Sequence, residues 1–467
     1  MAMGRRKDVQ TDFWVATQDL PSSPGHPFYE RLNKVLDVAD FDRFCESSCE
    51  KFYAPTMGRP SVRPGVYFRM LMIGYFEKLD SERQIAWRCA DSLSLRAFLR
   101  LEPQAKTPDH SSLSRTRQRI DLDTHQAVFD WVLKRLAEYE LLKGRTLGVD
   151  ASTMEANAAM RSIVRKDTGE RYGDFLTGLA VSSGVETPTA QDLARFDRSR
   201  KGKKCGNDEW HNPHDPDAKI TKMKDGRTHL AYKPENAVDL DTGAIVAAEI
   251  HPADQGDTTT LSGTLVRATE SLREVRDDQS VAADTGGLVV EEVVADKGYH
   301  SGRTLVDLEE IELRPYVSEP DRGRRKWTAS DPQEQEFKRA EQAAVYRNRR
   351  RCRGARSKGL HRKRGELVER PFDHLLDDGG MRRTHLKGRE KIAKRYLIQT
   401  AGFNLGLIMR KLTGFGTPKG WTDGLCGLLL RLAARLCAAW HRRSSPVRMF
   451  RLNLRSAPMS FRRPLAA

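Results

Sequence analysis

The chain has no apolar run long enough to cross a bilayer. Its most apolar late segment, Leu425 to Trp440, is broken by Arg431 and Arg435, and a spanning helix needs about 20 mostly apolar residues. The opening MAMGRRKDVQTDFW holds no apolar stretch of the secretory type. Cysteine is scarce, with seven residues (Cys45, Cys49, Cys89, Cys205, Cys352, Cys426 and Cys437) scattered and odd in number. Cys45 and Cys49 lack a second Cys/His pair at ligand spacing, which argues against structural zinc. Without a disulfide framework, a reducing, cytoplasmic compartment is expected. No Gly-rich loop of the Walker type occurs, so nothing supports nucleoside triphosphate hydrolysis. No Ser or Tyr arrangement calls for a covalent protein–substrate intermediate either.

Acids are missing where bases are dense. Arg347 to Arg364 carries eight Arg and two Lys in eighteen residues and no acid, and His441 to Ala467 has seven Arg and again no acid. Overall 80 Lys and Arg face 64 Asp and Glu, a formal charge of +16. Clustered positive charge fits a phosphate backbone better than a general solubility device. Nucleic acid is therefore the expected partner, ahead of an anionic membrane.

Residues 1–142 read as helices. Pro64 to Leu79 is long and apolar enough for a buried helix, and Ser81 with Gln84 forms a capping box for the next. Thr107-Pro108-Asp109 starts a short helix with Pro in its first turn. It bears Arg115, Arg117 and Arg119, candidates for DNA contact. His125 to Leu142 is amphipathic. This region is either a helix-turn-helix reader or a helical packing and dimerisation domain.

After Gly144 the period changes. Thr146 to Val149 reads as a buried strand ending at Asp150. A polar insertion of little core follows, at about 158–227. His229 to Leu240 and Ala244 to His251 form a hairpin across Asp241-Thr242-Gly243. A helix runs from Thr258 to about Arg273, capped by Asp257. Glu291 to Ala295 is a strand ending at Asp296, and Leu313 to Val317 is another. A basic insertion is expected at about 318–364, then helices from Gly365 to Leu375 and from Lys387 to Leu412. The division is a helical domain at 1–142, a mixed α/β domain at 143–412 and a basic tail at 413–467. Parallel strands carrying Asp150 and Asp296 would bring both acids to one sheet edge, where open α/β sheets hold ligands.

Each Asp alone is an ordinary turn residue. Together on adjacent strand ends they repel, unless a cation lies between them. Carboxylate oxygens suit Mg²⁺, and a third acid from the last helices would complete a two-ion site for phosphodiester cleavage. His251 and His300 are more simply strand-end polar residues than ligands.

The segments GVDASTMEANAA, THLAYKPENAVDLDTGAIVAAEIHPADQGDTTTL, VVADKGYHS, RGELVERPF and KRYLIQTAGFNLGLIMRKL, in this order, resemble the DDE transposases of bacterial insertion sequences. The resemblance runs from about Phe28 to Leu412. It implies an RNase H-like fold, two Mg²⁺ ions with Mn²⁺ as a substitute, and action as a homodimer on terminal inverted repeats and target DNA in the bacterial nucleoid. It also implies Asp150, Asp296 and Glu369 as the catalytic, metal-holding acids. Many relatives carry Tyr and Arg seven and four residues before this Glu and Lys seven after. Here those places hold Arg362, Gly365 and Leu376, which leaves Glu366 as the alternative. Arg349, Arg350, Arg351, Arg364, Arg370, Arg382 and Lys387 are the remaining candidates for holding DNA. A nuclease of the same fold and a silent DNA-binding repressor are the rival functions.

Overall fold

The structure, a computed structural model, describes residues 25–54, 61–102, 104–199, 206–223, 226–279, 281, 285–321, 323 and 325–424. The segment Leu425 to Trp440 and the rest of the basic tail from residue 425 lie outside the described residues.

Among the described residues seven α-helices come first: α1 (Pro27–Val38), α2 (Phe41–Cys49), α3 (Pro64–Phe76), α4 (Glu82–Asp91), α5 (Leu93–Phe98), α6 (His110–Arg119) and α7 (Leu122–Glu138). Side chains cap their starts as the residue types require: Ser81 accepts from Gln84 N, Asp109 from Ser112 N and Asp121 from Thr124 N. Asp109 is thus the cap of α6, and Pro108 precedes the helix instead of occupying its first turn. Nearly every residue of α3 is buried, including Arg69, whose guanidinium meets Asp42 at 3.0 Å. Phe28 packs edge to face on Tyr29 and Phe76, and Tyr29 meets Phe98 at a tilt.

The second region comprises β1 (Thr146–Ala151), β2 (Met154–Glu155), β3 (Val164–Arg165), α8 (Tyr172–Ser182), α9 (Ala190–Ser199), β4 (Trp210–His211), β5 (Lys219–Lys222), β6 (Thr228–Asp239), β7 (Ile245–Pro252), α10 (Asp257–Asp277), β8 (Glu292–Ala295), α11 (Gly302–Glu310), β9 (Arg314–Val317), α12 (Pro332–Cys352), α13 (Ala355–Phe372) and α14 (Arg389–Thr413). Strand β6 pairs antiparallel with β1 and β2 on one side and with β7 and β5 on the other. β8 lies parallel to β1, and β9 parallel to β8. The central order β7-β6-β1-β8-β9, with three antiparallel strands followed by two parallel to the first, is the sheet of an RNase H-like fold.

Helix α13 covers one face of β1. It comes close because position 148 is glycine: a Cβ there would meet Val368 at 2.8 Å and Leu240 at 2.6 Å. Helix α10 covers the other face, with Thr260 and Thr264 against Glu235 of β6. On each outer strand of that order, an asparagine from a helix pairs with the backbone of one residue. Asn348 of α12 donates to Val317 O at 2.8 Å and accepts from Val317 N at 3.1 Å. Asn404 of α14 does the same for Ile245, at 2.8 and 3.0 Å. Open edge groups would otherwise invite pairing with another strand.

Three expectations change. The insertion at 158–227 has a core of its own, with Trp210 buried against Tyr172 and Phe175. Its Asp215 and Asp217 accept from Gly388 N and Arg389 N, securing the start of α14. The basic stretch from Arg347 is helical, because α12 and α13 span it, so the helix expected from Gly365 begins at Ala355. It runs into a π turn at Asp373–Asp378. Finally, the boundary at residue 142 divides the sequence but not the packing. Buried α14 contacts α3, α7 and β7, and the helices and sheet form one unit ending at Pro418.

Candidate active site

In the parallel pairing of β1 with β8, Val149 stands opposite Ala295. Asp150 and Asp296 follow directly, so the register places both carboxylates at the same end of neighbouring strands, which lie about 4.8 Å apart. Asp150 ends a run of buried residues, and Asp296 caps the tight turn Lys297–Tyr299, accepting from Gly298 N at 2.7 Å.

Asp150 is the more enclosed. Its Oδ1 accepts from Ala151 N at 2.8 Å and its Oδ2 from Arg364 Nη1 at 2.7 Å. Burial pushes its carboxyl above the ordinary value; Arg364 and the Ala151 N–H oppose the rise, and the charge of Asp296 adds to it. Two repelling carboxylates at one edge, the charged form of one already disfavoured, are a donor set that suits a hard divalent cation. Mg²⁺ binds through one or two carboxylates and completes its shell with water and phosphate.

The third expected acid does not join them. Arg364 reaches Asp150 while Val368, one turn later, sits over Gly148, so α13 runs antiparallel to β1. Glu369, following Val368, is exposed, and its Oε1 lies 4.0 Å from where a Cβ on Gly365 would stand. Glu366 is exposed too and pairs with Arg370 at 2.9 Å. Among the described residues no three His, Cys, Asp or Glu side chains gather as a metal-holding group.

The basic candidates divide. Arg115 and Arg119 line a cleft of about 740 Å³ with Arg63 and Lys106. Arg117, on the same helix, is buried against Glu82 and is removed from that surface. In the stretch Arg347 to Arg364, Arg347 and Arg351 pair with Glu309, Arg349 with Glu319, Arg356 with Glu292 and Arg364 with Asp150. These arginines fasten helices to the sheet domain. Arg350 and Arg353 are exposed and line a second basic cleft of about 570 Å³ beside Tyr346. Arg382 is held by Asp377 and reaches Ser152 Oγ at 3.4 Å, just beyond Asp150. Lys387 is exposed on the following loop.

Sequence reasoning missed a buried polar cluster behind Asp296. Glu235, fully buried, accepts from Thr260, Thr264 and Tyr299, and His251 Nε2 lies 3.5 Å away. Lys233 reaches Asp257 at 2.7 Å. The signal available was a Lys and a Glu among apolar residues within a strand that is buried on both faces, since charges persist there only when paired.

Two family comparisons bear on this geometry. Residues 17–119 match the Transposase domain family (DUF772), and residues 182–405 match the Transposase DDE domain family. The second span contains Asp296 and Glu369 and begins after Asp150. The chain belongs to the DDE-type insertion-sequence transposases. No curated protein and no solved structure matches the transposase. Among its described residues, no helix is long and apolar enough to cross a membrane.

Proposed function

We propose that this transposase cuts DNA at the terminal inverted repeats of its element and joins the freed 3′-OH ends to target DNA, acting as a homodimer at Asp150 and Asp296. The observation that carries the reading is the register of β1 on β8, which supports a carboxylate pair at one sheet edge. Divalent metal bound there, Mg²⁺ with Mn²⁺ as a substitute, supplies activation of the attacking oxygen and stabilisation of the leaving one. Asp150 and Asp296 would hold it, and Glu369 of α13 would be the third ligand. Arg364, beside Asp150 at 2.7 Å, would offer its guanidinium to the scissile phosphate. Arg382 stands at the same edge through Ser152, Lys387 is exposed on the loop that follows, and Arg370 lies on α13 next to Glu369. Arg115, Arg119, Arg350 and Arg353 hold backbone phosphates on the two basic clefts, positioning the duplex without reading it. No protein nucleophile is needed.

Joining of a precleaved inverted-repeat end to a plasmid, with and without Mg²⁺, tests the proposal. Metal-dependent joining supports it. Cleavage without joining makes the chain a nuclease. A second reading, a catalytically silent DNA-binding repressor, is favoured by the exposure of Glu369 away from the acid pair; specific binding with neither cleavage nor joining selects it.

A further inference from the structure

Behind Asp296 lies a polar cluster that the proposed chemistry does not use. Tyr299 ends the turn capped by Asp296, is fully buried and donates to Glu235 Oε1 at 2.8 Å. The same oxygen accepts from Thr260 Oγ1 at 2.8 Å, and Oε2 accepts from Thr264 Oγ1. On the other strand of the hairpin, His251 Nε2 stands 3.5 Å from Glu235 Oε2. Burial acts to raise the Glu235 carboxyl, but donation from His251, Thr264, Thr260 and Tyr299 outweighs it and the net shift is downward. Glu235 is therefore an anion in the core with every donor around it aimed inward.

A second tether comes from Lys233, two residues earlier on β6. Its ammonium reaches Asp257 Oδ1 at 2.7 Å, Thr260 Oγ1 at 2.9 Å and Gln255 O at 3.3 Å, filling its three donor positions. Asp257 begins α10, and its other oxygen presses on the Asp296 turn. A Cβ at position 298 would stand 2.3 Å from Asp257 Oδ2 and 3.0 Å from Asp296 Oδ1. Only glycine allows the two carboxylates to approach across that backbone. The turn is thus held on two sides, by Tyr299 on Glu235 and by Asp257 against Gly298.

We propose that Glu235 is a positioning residue for Asp296: through Tyr299 Oη it locks the turn 297–299 and so aims the Asp296 carboxylate at the metal shared with Asp150. The inference rests on the reading of Asp150 and Asp296 as metal-holding acids. Glu235 itself would touch no metal, because it stands opposite Ala151 of β1 and faces α10, while Asp150 faces α13. Partners that orient ligating groups typically govern metal affinity by about 10–100-fold.

The test uses the full-length chain and Mn²⁺ as probe, with free Mn²⁺ read by its electron paramagnetic resonance signal. Tyr299→Phe removes one oxygen and keeps the packing. It should weaken Mn²⁺ binding at least about tenfold and speed hydrogen exchange of the Gly298 amide, with the fold retained by circular dichroism. Glu235→Gln, which keeps an acceptor for Tyr299, should lose less than Glu235→Ala; if the alanine variant does not fold, Tyr299→Phe still decides. Unchanged Mn²⁺ affinity and unchanged Gly298 exchange in Tyr299→Phe, with only a lower Tm, would overturn the proposal and leave the cluster a plain core stabiliser. If the wild-type chain takes up no Mn²⁺, the metal reading of the acid pair fails. The positioning claim is then decided by Gly298 exchange alone: faster in Tyr299→Phe supports it, unchanged refutes it.

Discussion

Replacing Arg364 by Gln should destabilise the protein in a way that depends on pH. The Arg364 and Asp150 side chains are 14% and 22% exposed, so their ion pair is only weakly screened. A hydrogen bond to a charged group contributes about 1.5–3 kcal/mol. Without Arg364, Asp150 keeps only the Ala151 N–H, and burial drives its pKa further up. The carboxylate can escape the penalty by taking a proton, at about 1.4 kcal/mol per pH unit between its pKa and the medium. Its folded pKa is already raised above the ordinary 3.8, so the folded state binds more protons than the unfolded one in that window. Stability therefore falls as pH rises through the folded pKa, and the substitution moves that pKa higher. Urea unfolding at about pH 8 should show a deficit of about 2 kcal/mol against wild type. The deficit should shrink as pH falls through the raised folded pKa values of variant and wild type, below which Asp150 is protonated in both folded proteins. An equal deficit at every pH, or none at about pH 8, would show that the pair does not bear on Asp150 ionisation.

Other outcomes follow from the same geometry. Glu369→Gln should lose Mg²⁺-dependent cleavage and regain part of it with Mn²⁺, whereas Glu366→Gln, which only breaks the surface pair with Arg370, should stay near wild type; the reverse result moves the third ligand to Glu366. Replacing Arg350 and Arg353 by Gln should weaken binding to all DNA sequences alike and flatten the slope of log K against log salt by up to about 2, measured by fluorescence anisotropy; loss confined to inverted-repeat DNA would make this cleft a sequence reader. His125, buried and hydrogen-bonded to Tyr67 at 2.9 Å, has its pKa pushed down to about 3, mainly by burial. Its ring signal should not titrate between about pH 8 and about pH 4. Because the unfolded ring protonates first, its contribution to stability is present above 6.5 and lost as pH falls below that value, and a titration midpoint near 6.5 would contradict the burial argument.

The sheet was legible because its strands obey simple rules. Alternating apolar residues across Asp241-Thr242-Gly243 required the β6–β7 hairpin, and short apolar runs ending at Asp150 and Asp296 required buried parallel strands. Helix α13 was misjudged because Arg347 to Arg364 has too few apolar residues to show a helical period. What fixes the stretch is arginines whose partners are distant in sequence: Arg347 and Arg349 of α12 pair with Glu309 and Glu319, and Arg356 of α13 with Glu292. The fate of Arg117 was equally hidden, since a buried Arg–Glu82 pair leaves no mark on local pattern. The insertion looked coreless because the largest buried side chain among its described residues, Trp210, depends on Tyr172 and Phe175 from a separate helix. Of the site, the two aspartates were readable from strand ends, while the Glu235 cluster needed the third dimension. The register of α13 against β1, with Arg364 on Asp150 and Val368 over Gly148, also lay beyond sequence.

The central claim is that Asp150 and Asp296 together form the reacting centre. The most direct measurement is cleavage of an inverted-repeat DNA end in Mg²⁺ by wild type, Asp150→Asn and Asp296→Asn, alongside a gel-shift assay of the same DNA. Asparagine keeps the shape of each side chain and removes the charge that holds metal. The account predicts binding within a few-fold of wild type for both variants and cleavage reduced at least about a thousandfold. Near-wild-type cleavage by either variant would contradict it.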